Sequence, residues 1–194
     1  MKTTLRTLRD CRGQSMVEFA MIAPFLIILA LGLVELGYGL LDQHVVTKLS
    51  REGANMISRN VPVEDASKAL RNMQTRPVDF SNGTSKMIFS VVKRGETVGT
   101  TNYNKDLLYS RYEYGSGTNS KLSTRGPGSF DSDHVANNSD TDSNLQLTNL
   151  PPGMMTQPGG LVYVCEIYTK HKLITAFNKF GFTVPTMLYS IAYF

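Results

Sequence analysis

A chain of 194 residues with a formal net charge of +4 has room for one domain of moderate size and a short appendage. The charge excludes a nucleic-acid binder built on a basic face: residues 1–13 set Lys2, Arg6, Arg9 and Arg12 against Asp10, and the remainder is close to neutral. The only two cysteines, Cys11 and Cys165, lie on opposite sides of a long apolar run. That excludes a disulfide framework and makes Cys165 a small buried apolar residue.

In chain order, the basic leader ends at Gly13. Gln14-Ser15-Met16-Val17-Glu18 follows, and from Phe19 to Leu41 the sequence is almost unbroken hydrocarbon. A secretory signal peptide places its small-residue cut after the apolar stretch; here no such site follows Leu41. At about 1.5 Å per residue, this stretch makes a helix of roughly 35 Å. That crosses a hydrocarbon core of about 30 Å with a little tilt. The excess of Lys and Arg in the leader puts the N-terminus in the cytoplasm and residues from about 42 onward outside it. Pro24, inside the span, removes one backbone bond, a break that neighbouring helices compensate in a membrane. Glu18 shares a helical face with Gln14. Glu35 lies about 24 Å along the helix from Phe19, where it reaches headgroups or meets a packing partner inside an assembly.

Asp42 to Arg59 continues the helix, with Val45, Val46, Leu49, Met56 and Ile57 recurring at helical steps around Gly53 and Ala54. Val61-Pro62 ends it. Val63 to Met73 reads as a short helix, Met87 to Val92 as a strand and Leu107 to Tyr114 as a second. Residues 115–149 are rich in Gly, Ser, Thr and Asn and are expected to form a mobile loop. Asp131, Asp133, Asp140 and Asp142 within it form a weak calcium candidate, since the EF-hand offsets are missing. Leu161 to Thr169 is the strongest strand, apolar on both faces at its start and therefore central. Met187 to Phe194 closes the sheet. The fold class is α+β: a long N-terminal transmembrane helix, then a small antiparallel sheet domain with long loops.

No catalytic constellation is legible. Gly13-Gln14-Ser15-Met16-Val17 begins like a nucleophile elbow, but Val17 stands where glycine is needed. His134 and His171 lack the paired ligands of a zinc site, and His44 reads as a polar-face residue. No cofactor is implied.

The glycine before an apolar run, with a glutamate at the fifth residue after it, resembles the processing segment of a type IV pilin or pseudopilin. Arg51-Glu52-Gly53-Ala54, just beyond the span, and the later run Val164-Cys165-Glu166-Ile167-Tyr168 with Leu173 resemble the TadE-like branch of the tight-adherence (Tad/Flp) family. Lys172 stands where that branch commonly has proline. The resemblance implies a prepilin-type leader at 1–13, a long helix over 14–60 with its transmembrane part at about 19–41, and an exported domain over 61–194. It implies a minor pilin of the bacterial inner membrane, cut by a prepilin peptidase between Gly13 and Gln14, that assembles, primes or caps a pilus used in cell adhesion. The new ammonium at Gln14 would pair with Glu18, within the chain or on a neighbouring subunit; pilins usually use the second. Phe19, Pro24 and Glu35 would serve helix packing. Other pilin and pseudopilin subunits, an assembly platform and an ATPase are the implied partners. Two other readings remain: an uncleaved single-pass protein presenting an exported structural domain, and an adhesive domain for which the helix is a tether.

Overall fold

The computed structural model describes residues 12–117, 119–154, 157–173 and 186–194. Helix α1 (Arg12–Ser58) is followed by α2 (Val63–Asn72), strands β1 (Ser85–Arg94) and β2 (Asp106–Gly115), one 3-10 turn (Ser143–Leu145), and strands β3 (Leu161–Lys170) and β4 (Met187–Tyr193). The four strands form one antiparallel sheet in the order β2-β1-β3-β4. The α+β architecture expected from the sequence is therefore present, with β3 inside the sheet.

Strand alternation gives the sheet two different faces. Met87, Phe89, Cys165, Ile167 and Ala192 point to the first, where they meet α1 through Val46, Leu49, Ala54 and Ile57 and α2 through Ala66 and Leu70. With the buried Ser50 and Gly53, these α1 residues recur at three- and four-residue steps, so one stripe of the helix is buried and the rest faces outward. Burying each of these large side chains contributes about 1.5–3 kcal/mol. α2 carries Glu64 and Asp65 in its first turn and Arg71 in its last, the charge order that its dipole favours. Met73, expected as its last residue, lies just past its end and is exposed.

The second face carries Val92, Val162 and Val164 under Leu122, with Leu147 and Leu150 packed alongside. From the stretch 115–149, for which a mobile loop is expected, Leu122 and Leu147 lie on this face. Leu122, Leu145 and Gln146 in it are buried. Single bridges Leu107↔Gln146 and Ser110↔Val135 pair it with the outer edge of β2, covering backbone groups that an edge strand would otherwise present.

Candidate functional site along the first helix

Helix α1 is described from Arg12 on, so Gly13 and Gln14 lie in helical backbone; residues 1–11, Cys11 and the rest of the expected leader up to it, lie outside the described residues. Glu18 is exposed one turn further on. From Met16 to Val34 the large apolar side chains are uncovered, Phe19 at 67% exposure among them. α1 runs on through Pro24. This half is long and apolar enough to cross a membrane, and none of the chain's own sheet covers it. Leaving that much hydrocarbon in water is unfavourable at about 25 cal/mol per Å², so the helix requires a bilayer, neighbouring helices, or both.

Burial starts at Glu35, only 4% exposed. Glu35, expected to reach headgroups or a neighbour, is turned into the chain's own head. Its Oε1 lies 3.4 Å from Nε2 of His171, and Asp42 Oδ2 lies 2.8 Å from Nδ1 of the same ring. The physical reason is helical spacing. Glu35 and Asp42 stand two turns apart on the stripe that continues as Val46, Leu49 and Gly53. Gly39 lies between them, where a Cβ would sit 4.0 Å from Nε2 of His171. His171 follows directly on β3, and its backbone N–H donates to Thr186 O before β4. The imidazole thus bolts the end of the sheet to the helix at the boundary between its bare and packed halves. A carboxylate in an apolar setting costs several kcal/mol without such a partner.

Two further contacts fix the head on the helix. At Gly53 the helix comes so near the sheet that an added Cβ would lie 2.6 Å from Cys165 Sγ and 3.0 Å from Leu70 Cδ1. Burial pushes the Cys165 thiol above its ordinary range. The Ser50 and Ser190 hydroxyls meet at 2.8 Å in the same interface. On the opposite face of the sheet, Glu166 is fully buried and gathers four donors: the Ser120 hydroxyl, Lys121 N–H at 2.9 Å, Tyr168 OH at 2.8 Å and Tyr189 OH at 3.3 Å. Arg111 closes the knot, donating to Ser120 Oγ at 3.3 Å and to Leu122 O at 3.0 Å; burial lowers its pKa. Burial, then the neighbouring carboxylate, raises the phenols of Tyr168 and Tyr189.

The structure does not bring the four loop aspartates together. Asp131 Oδ1 accepts from the N–H of Asp133 and Val135, Asp142 Oδ1 accepts from Asn144 N–H, and Asp140 Oδ2 accepts from the Thr97 hydroxyl. Among the described residues no group of three or more His, Cys, Asp or Glu is placed to hold a metal ion. The Asp131 and Asp142 carboxylates hold turns, the ordinary task of Asp in such segments, while Asp140 ties its loop to Thr97 in the one after β1. Sequence reasoning missed His171, whose partners lie 129 and more residues earlier. The available signal was the spacing of Glu35 and Asp42 on the stripe that becomes the core.

Residues 13–55 match the family described as TadE-like protein. The match runs from the glycine before the bare segment, through the acids Glu18, Glu35 and Asp42, to the Gly53–Ala54 seat. No curated protein and no solved structure matches the chain.

Proposed function

We propose that this chain is a minor pilin, or pseudopilin, of a tight-adherence pilus. The observation that carries the reading is the coincidence of two spans: the TadE-like match over residues 13–55 and a helix that is bare in its first half and packed in its second. A prepilin peptidase cuts between Gly13 and Gln14. The bare half holds the protein in the inner membrane, N-terminus inward and head exported, until it passes to the filament, where neighbouring helices replace lipid. The new amine at Gln14 and the Glu18 carboxylate, each costly alone beside a low-dielectric region, pair between subunits. An assembly ATPase and a platform protein supply the work.

Mass spectrometry of the protein purified from peptidase-competent cells tests the first step: residues 1–13 should be missing. A full-length mass would leave an uncleaved membrane protein as the reading. Glu18→Ala tests the second step. It should be processed normally yet drop at least about tenfold in sheared filaments, the scale of one lost buried charge pair. Wild-type recovery of that variant would refute the pairing role.

A further inference from the structure

A cleft of about 640 Å³ opens where the bare half of α1 meets the head. Tyr38 and Leu41 form its helix side; Arg76, Lys170 and Lys172 stand on its head side. Tyr38 is about 28 Å along the helix from Phe19, at the depth where a core of about 30 Å gives way to headgroups and where tyrosine is favoured. All three cations are exposed, and among the described residues none makes an ion pair. The two acids on the same rim are engaged: Asp42 faces His171, and Asp79 accepts from Ser81 and Asn82. Those bonds from Ser81 hold the Asp79 carboxyl below its ordinary range. The cleft therefore sets three cations without ion-pair partners against two carboxylates, Asp42 and Asp79, beside the exposed apolar Leu41 of its own lining.

We propose that this cleft seats the phosphate of an anionic phospholipid headgroup, its acyl chains lying along α1. The inference rests on the membrane-spanning reading of that helix. An inorganic phosphate would satisfy the cations but leave Tyr38 and Leu41 without a use; a lipid engages both sides at once. The contact sets the height of the head above the bilayer and orients Arg76, Lys170 and Lys172 toward it.

The test uses the full chain in nanodiscs of phosphatidylcholine doped with phosphatidylglycerol, released into native mass spectrometry. The wild type should retain phosphatidylglycerol over phosphatidylcholine by about tenfold or more, each cation near an anionic surface counting about fivefold. The triple variant Arg76→Gln/Lys170→Gln/Lys172→Gln should fall to near parity. Lys105→Gln, beside β2 at the other end of the sheet, should keep the preference. Equal retention by wild type and triple variant would overturn the site, and so would loss of the preference in Lys105→Gln. Loss of the bound lipid in millimolar inorganic phosphate would overturn the headgroup in favour of a free ion. Flotation with vesicles separates this from the underlying reading. A chain that does not float refutes the span itself; one that floats without lipid preference refutes the cleft alone.

Discussion

Removing the Glu166 carboxylate leaves the hydroxyls of Ser120, Tyr168 and Tyr189 and the N–H of Lys121 without their shared acceptor. Buried donors left unpaired cost about 1–3 kcal/mol each, partly relieved by water. Glu166→Ala should therefore lower the stability of the head by about 3 kcal/mol in urea titrations followed by circular dichroism, and Glu166→Gln by less. A loss below about 0.5 kcal/mol would show that the knot contributes little beyond ordinary surface contacts. The same cluster sets a pH dependence. Tyr168, Tyr189 and Tyr193 keep their protons to higher pH in the folded head than their ordinary value of 10.0. The unfolded chain then ionises first. The stability they contribute is complete below about pH 10 and is lost as pH rises beyond it. Melting temperature should hold between pH 7 and 9.5 and fall above 10, with a shallower fall in Tyr189→Phe. The residue pair itself was legible: a Glu and a Tyr two positions apart on a strand share a face, so Glu166 and Tyr168 can meet. Ser120 could not be read, because nothing in a polar loop says which hydroxyl crosses to which strand.

Among the elements, α1 depends most on a missing side chain. Alanine is favoured over glycine in a helix by about 1 kcal/mol, yet at Gly53 a methyl would meet the Cys165 sulfur at 2.6 Å and Phe89 Cε1 at 3.1 Å. The clash outweighs the propensity, and Gly53→Ala should destabilise the head by about 1–3 kcal/mol. Cys165→Ala removes the nearest atom, so the double variant should be more stable than the sum of the two single effects predicts. Denaturant titration of the four-protein cycle measures that coupling; strict additivity would mean that the helix simply shifts away. The strands were legible from β-branched and aromatic runs, and the packed half of α1 from its three- and four-residue spacing. The cover over the second face was not. Its apolar residues, Leu122, Leu147 and Leu150, are too thinly spread among Gly, Ser and Asn to show a period, and their burial depends on strands distant in sequence.

At the scale of the molecule, the sequence announced a membrane helix and a head but not the bolt between them. A histidine after β3 carries no sign of which acids it will meet, and Glu35 alone reads as an acid near a membrane surface. His171→Ala should leave the sheet folded while exposing α1 around residues 38–44 to limited proteolysis, at a rate several-fold above wild type; unchanged cleavage would show that Gly53 and Ser50 hold the junction without it. Glu35 has a mechanical consequence as well. Because gripping of the rod begins there and continues to Ile57, no slack hinge lies between the bare half of α1 and the head among the described residues. A tug on the bare half is felt by the whole head at once, and under the pilin reading proposed above, withdrawing the helix tows the head as one stiff lever.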